Sequence, residues 1–395
     1  MSQNRFLLLL ILGLLSAIGP FSIDSYLSGF PSIATDLKVS IDEVSYSLSS
    51  FFIGISLGQM LYGPLLDRFG RKKPLLIGLV IYILASLGCV VVQSIEMLIV
   101  LRFFQAIGGC VGIIAPRAIV RDTFPVQESA KIFSTLMLIL GVSPIIAPTF
   151  GGYMVAIWGW HSVFIVQALV GFILFVSVLI FLPESKEADT SVSLHPKAVI
   201  PSFWGIFRTP HFFTYAFAGS LISGSVYAYI SGSPFVFMEL FKATEQHYGW
   251  IFGLLAGGLI LSSQLNNLVL RKTKSEKIVN VVIPIQVAFG LLLVSSSLLD
   301  WLNLYNTIFL LFLYFCCQGF SFPNTAALSL APFSKQAGSA SALMGALQMG
   351  IGALAAALVG YGANGTSLPM TSVMAGCAVI GFLVFRIGGI ILEKT

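Results

Sequence analysis

Charge is what this chain has least of. Only 9% of its 395 residues are Asp, Glu, Lys or Arg, while 57% are hydrophobic; a soluble domain carries roughly 25% charged residues. With a mean hydropathy of +0.94, the chain cannot cover itself with charge as a domain in water does, and a soluble globular protein is excluded. Histidine is scarce too. The four histidines, His161, His195, His211 and His247, fall in loops or at the ends of apolar runs, and nothing in their spacing resembles a metal cluster. No metal or cofactor is therefore assigned. A membrane-embedded enzyme is disfavoured, because catalysis on buried substrates wants clustered acids, bases or metal ligands. The five cysteines, Cys89, Cys110, Cys316, Cys317 and Cys377, all lie inside apolar runs. They read as packing residues with free thiols, and no disulfide framework is implied. A cleavage site is also lacking. Arg5 followed by FLLLLILGLLSAIG imitates a signal peptide, but the apolar run outlasts a normal h-region, so it is expected to be a retained first helix.

Long apolar runs fill the chain instead. About 20 apolar residues cross a bilayer, and twelve runs reach that scale. They lie near residues 6–30, 44–66, 74–92, 97–120, 132–157, 162–182, 212–238, 248–270, 279–299, 304–331, 337–361 and 369–391. The expected fold class is an all-α integral membrane protein with twelve transmembrane helices. The net charge of +5 is a matter of topology. Of the 21 Lys and Arg, only Lys38 and Lys242 fall in loops on the side away from the basic stretch Arg68–Lys73; Arg102 falls inside a run, and the other 18 lie on the near side. Acidic residues divide almost evenly. By the positive-inside rule the near side is cytoplasmic and both termini lie there. The positive charge gives no case for nucleic acid.

Residues 183–210, PESKEADTSVSLHPKAVIPSFWGIFRTP, form the only long polar stretch, with six charged residues and four prolines. The stretch reads as a cytoplasmic linker between a six-helix half at 1–182 and a second at 211–395. The second half echoes the first weakly: its basic loop Arg271–Lys277 carries no counterpart of the pattern at Gly63–Lys72.

That pattern, GPLLDRFGRK, holds three cations, an anion and two glycines, and cannot cross a lipid core. A tight connection between two membrane helices is expected there, with Gly63 at a close approach and Gly70 in the turn. Asp67 is expected to cap the following helix, with Arg68, Arg71 and Lys72 on the cytoplasmic side. Asp24 is the one carboxylate placed deep in a run. A charge there costs about 2.5–3.5 kcal/mol on insertion scales, which makes it a functional candidate; the competing reading is an interfacial acid reaching the outer surface. Counted from Phe30 its depth is roughly 9 Å, and counted from Met97 that of Arg102 is roughly 8 Å, at 1.5 Å per residue. The two are depth-matched, so Arg102 is expected to act as the charge partner of Asp24. Ser16, Pro20, Asp24 and Ser28 share one helical face, and Arg102, Gln105, Gly109, Gly112 and Pro116 another. In the fifth run Gly141, Pro144, Pro148, Gly151 and Gly152 make a kinked helix with a narrow face that admits another helix closely. Along the seventh and tenth runs, Ser220, Ser223, Tyr227, Ser231 and Pro234, and Tyr314, Gln318, Ser321 and Thr325, form polar stripes. These either line a substrate path, with Gln105, Tyr227, Ser231, Tyr314 and Gln318 as contacts, or hold helices together.

These segments resemble the major facilitator superfamily. Residues Gly63–Lys72 match its loop signature G-x-L-a-D-R-x-G-R-K except at Leu66. LRFFQAIGG resembles its helix 4 motif R-x-x-Q-G-x-G through Arg102 and Gln105, with Ala106 in place of a glycine. The run Gly141–Gly152 is similar to the antiporter motif of drug:proton exporters, with Ala147 where Gly is usual. SIDSYLSGFPSIATDL (Ser22–Leu37), PRAIVRDTF (Pro116–Phe124), YISGSPFVF (Tyr229–Phe237) and GSASALMGALQ (Gly338–Gln348) resemble its bicyclomycin-resistance branch, with a departure at Ser28–Gly29. The resemblance implies the major facilitator fold in a bacterial inner membrane, a central cavity and proton-driven efflux of a drug-like small molecule. It also implies a role for Arg102 in proton coupling. On this reading the partners are a small molecule and the bilayer, protons are the coupling ion, and the chain works as a monomer. Asp24 is the proton site, and Gly63, Asp67, Arg68, Gly70, Arg71, Arg121 and Asp122 form a cytoplasmic gate. A proton-coupled uptake symporter or a metabolite exporter on the same fold is the alternative, and an embedded enzyme or receptor the distant one.

Overall fold

The computed structural model describes residues 3–189, 196–333 and 337–392, and the described residues are helical throughout with short connections. Fourteen helices follow one another: α1 (Gln3–Leu27), α2 (Phe30–Leu37), α3 (Ile41–Phe69), α4 (Lys72–Val90), α5 (Ile95–Thr123), α6 (Val126–Trp158), α7 (His161–Phe181), α8 (Pro196–Phe207), α9 (Pro210–Leu240), α10 (Glu245–Val269), α11 (Ser275–Leu298), α12 (Leu304–Leu330), α13 (Ala337–Tyr361) and α14 (Leu368–Leu392). All but α2 and α8 are long and apolar enough to cross a membrane, giving twelve spans. Pro64, Pro116, Pro144, Pro148 and Pro284 sit inside spans. Lipid-buried helices tolerate proline because neighbouring helices help to re-satisfy the freed backbone groups.

Several helices that start opposite the basic connection have polar caps. Ser40 and Glu43 form a reciprocal capping box at α3, Ser94 accepts from the Met97 amide at α5, and Thr244 from the His247 amide at α10. Within the first half α3 and α4 pack on α5, α1 on α6, and α4 on α7; within the second, α9 packs on α13 and α14, and α12 on α10 and α11. The halves meet along two seams, α3 on α13 and α6 on α10. Apolar side chains such as Ile165, Leu169, Phe172 and Ile180 of α7 face outward. A surface of this kind suits lipid, where an exposed Leu or Phe costs nothing.

Three boundaries differ from the sequence-based expectation. The first span ends at Leu27, and the chain turns into the short helix α2. The third helix continues through Gly63 to Phe69, so the connection to α4 is only Gly70 and Arg71. The stretch at 183–210 is not irregular throughout, because α8 occupies Pro196–Phe207 and residues 190–195 lie outside the described residues. Its Phe203 and Ile206 are buried with Ala340 and Leu343 of α13, and Met60 of α3 packs on the same cluster. Its apolar residues Val199, Ile200, Phe203, Trp204, Ile206 and Phe207 do recur at helical spacing, but Pro196, Pro201 and Pro210 within and around them read as linker.

Candidate transport site and basic-end latch

Arg102, in the second turn of α5, is fully buried. Its Nη1 donates to Gln105 Oε1 at 2.6 Å, and both Nη atoms donate to the Ser22 carbonyl at 3.3 Å. The guanidinium carbon lies 4.4 Å from the Tyr26 ring centroid and 4.1 Å from that of Phe51. Gln105 Nε2 passes the network on to Ser86 Oγ at 2.7 Å and Gln167 Oε1 at 2.8 Å, and the Ser22 and Tyr82 hydroxyls share a bond of 2.6 Å. One polar knot therefore ties α1, α4, α5 and α7. It shelters a cation through carbonyl and amide oxygens and ring faces, which is the compensation a buried charge needs.

The expected Asp24–Arg102 pair does not form. Asp24 is 4% exposed, and no hydrogen bond or ion pair reaches its carboxylate among the described residues. The carboxylate lies instead within electrostatic range of Tyr227 and Tyr229 on α9 and Tyr248 on α10. The depth match holds, since Arg102 bonds Ser22 two residues earlier. Two residues, however, turn an α-helix by about 200°, so cation and carboxylate occupy opposite faces of α1. Asp24 is aimed at the other half.

The second half repeats the knot without the cation. Gln318 Oε1 on α12 accepts from Gln286 Nε2 of α11 at 2.6 Å, and Gln318 Nε2 donates to Ser223 Oγ of α9 at 3.2 Å. The Tyr314 hydroxyl donates to the Met374 carbonyl at 3.4 Å and that of Ser231 to the Ala356 carbonyl at 3.3 Å. The polar atoms of Gln105, Ser231, Tyr314 and Gln318 thus hold helices together. Tyr227 differs. Half-buried on the seam, it meets the Phe52 ring of α3 edge-on, with centroids 4.8 Å apart.

The fifth-span motif seats two helices at once. A Cβ on Gly151 would overlap the Ser25 carbonyl of α1, and one on Gly152 would lie 2.6 Å from the Glu245 carbonyl of α10. The Ser28 hydroxyl donates to the Pro148 carbonyl at 3.0 Å. Gly141 meets only Ile260, in ordinary contact, and Pro144 is half-buried beside it.

At the basic end Arg71 is the hub. It is 2% exposed, and its Nε donates to Asp122 Oδ2 at 2.6 Å and its Nη1 to Asp67 Oδ1 at 2.9 Å. Burial works against its charge, but these hydrogen bonds and the two carboxylates hold its basicity above the ordinary arginine value. Two expectations fail here. Gly63 lies inside α3 with nothing within 4 Å of a Cβ built there, so no close approach requires it. Asp67 belongs to the last turn of α3 and does not cap α4. The amides of Arg71 and Lys72 bond Glu184 instead, at 2.7 and 3.1 Å. Lys186 Nζ bonds Asp67 Oδ1 at 3.0 Å. Glu184 and Lys186 went unread because a charged segment 110 residues on carries no signal of where it docks; an acid after the sixth span, facing a helix start without its own cap, was the available hint. Gly70 has φ +81°, and a Cβ there would lie 2.8 Å from Glu184 Oε2, so both backbone conformation and space require glycine. Arg121 is exposed, with Nη1 3.9 Å from a Cβ built on Gly338 of α13, and Arg68 lies 5.9 Å from the Phe69 ring centroid.

Two six-helix halves that meet along narrow seams, with a buried carboxylate facing from one half toward the other and an ion-pair cluster at one end, have the build of a membrane transporter. The chain belongs to the Major Facilitator Superfamily, whose family model matches residues 9–357. It is 32% identical over 389 residues to the uncharacterised MFS-type transporter YdgK of Bacillus subtilis, covering 97% of this chain and 95% of that one. It is 29% identical over 383 residues to the bicyclomycin resistance protein homologue of Haemophilus influenzae, covering 97% and 96%. Among solved structures it resembles a bacterial homologue of the human lysosomal transporter Spinster, with a TM-score of 0.75, 14% identity and 98% of this chain covered against 97% of the other.

Proposed function

We propose that this transporter exports a small apolar or amphiphilic molecule in exchange for protons across a bacterial inner membrane, as a monomer that alternates access between its two halves. Asp24 takes the proton, and no other cofactor is needed. The basic end is cytoplasmic, which agrees with the distribution of Lys and Arg. The observation that carries the reading is the placement of Asp24: a carboxyl on the seam between the halves, 4% exposed and without a partner. Closing the seam over a charged carboxylate is opposed by its desolvation, and a bound proton removes that opposition. Opening the seam to water reverses the balance, so protonation and closure are linked. The drug-resistance name of the Haemophilus relative supports a drug-like substrate. Tyr227 and Phe52 supply aromatic surface beside Asp24, suited to ligands held by packing. Arg71, Asp67, Asp122, Glu184 and Lys186 latch the cytoplasmic side.

Reconstituted protein and a panel of lipophilic dyes and antibiotics, with a pH gradient imposed in either direction, test the reading. Export requires that accumulation follow the compartment that is more acidic inside. Accumulation driven only by protons moving with the solute would make the chain an uptake symporter.

A further inference from the structure

Near the outer end of α10, within electrostatic range of Asp24, lie three buried hydroxyls on α9 and α10. Tyr248, one turn into α10 and next to the exposed His247, is fully buried, and its hydroxyl bonds Ser233 Oγ of α9 at 2.8 Å. Tyr229, one turn before Ser233 on α9, is 2% exposed, and its hydroxyl neighbours that of Ser233 without closing a hydrogen bond of ordinary geometry. Apolar rings surround it: Phe315 with centroids 4.9 Å apart, and Phe252 at 5.6 Å. A buried hydroxyl without a full partner is destabilising, and the packing of Tyr229 would be served as well by Phe. The charge acting on both Tyr229 and Tyr248 is that of Asp24, which also lacks a partner. Among the described residues the facing elements supply no cation: α9 brings Tyr227 and Tyr229, α10 brings Tyr248, α6 brings the Pro148 carbonyl and Gly151, and the guanidinium of Arg102 is committed on the opposite side of α1.

We infer that Tyr248, Ser233 and Tyr229 form a hydroxyl relay that carries protons between the outer surface and Asp24. Each oxygen accepts a proton as it passes its own hydrogen to the next oxygen. No charge is stored, no group is oxidised, and the step ends with an O–H bond on the Asp24 carboxyl.

The inference rests on Asp24 as the proton site, and one experiment separates the two. In detergent-purified full-length protein, the carboxylic acid C=O infrared band of Asp24, identified by its loss in Asp24→Asn, is followed after a pH jump. Tyr229→Phe and Tyr248→Phe keep the rings and so the packing. Each should slow the rise of the band about tenfold, the effect of about 1.4 kcal/mol on a barrier, while leaving its final amplitude unchanged. Tyr305→Phe, whose ring is 82% exposed, should leave the rate as it is. A band that rises equally fast in all three variants overturns the relay and leaves the proton site standing. A wild-type band that never titrates overturns both.

Discussion

Arg102 is a buried cation held by dipoles and ring faces rather than by an acid. A guanidinium can fork to Ser22 and Gln105 while lying flat between Tyr26 and Phe51; a lysine ammonium can do only one of these. Arg102→Lys should therefore lower the thermal unfolding midpoint and cut transport, by about 1–3 kcal/mol for each group left unpaired. An unchanged midpoint would mean that the knot is not organised by the fork. Both Asp24 and Arg102 were legible in the sequence, because an ionisable residue in an apolar run stands out. Their facing directions were not. A shift of two residues around a helix reverses the face, and only packing against α5 and α9 fixes the rotation.

The α3–α4 connection and α6 show what spacing arguments can and cannot deliver at the level of elements. Asp67, Arg71 and Asp122 come together in one ion-pair cluster, and Gly70 lies in the turn beside it. The cap on α4 comes from Glu184, 113 residues after the Arg71 it binds. Glu184→Ala should cost about 1 kcal/mol, the loss of a capping side chain, and should loosen the Asp67–Arg71–Lys186 cluster without lowering expression. Cysteine accessibility at Lys186→Cys, measured by maleimide labelling, should rise. Gly63→Leu should be tolerated, because the position opens on empty space. Gly151→Val should fail, because no side chain fits between α6 and the Ser25 carbonyl. Equal transport by the two glycine variants at matched membrane levels would contradict this division.

For the molecule as a whole, the apolar runs set the count of twelve spans, and the charge asymmetry suggested their orientation. The internal repeat was nearly invisible. It shows in Gln105 and Gln318, each on the fourth span of its half, although their glutamine partners differ in place: Gln167 is on the sixth span of the first half and Gln286 on the third of the second. With Asp24 as the one proton site, the proposed exchange predicts one proton per cycle. Exchange for a neutral substrate then moves one net charge, worth about 2.3 kcal/mol per 100 mV, and exchange for a monovalent cation moves none. A membrane potential should speed export of the first and leave the second unchanged, as ion-flux measurements in proteoliposomes can establish.

The central claim is that Asp24 couples proton movement to transport, and replacing its titratable group tests this most directly. Asp24→Asn keeps the shape and stays neutral at every pH. In proteoliposomes, it should abolish uphill transport driven by an imposed pH gradient while preserving downhill exchange of the same substrate. Uphill transport by Asp24→Asn at the wild-type rate, at equal protein content, would contradict the account.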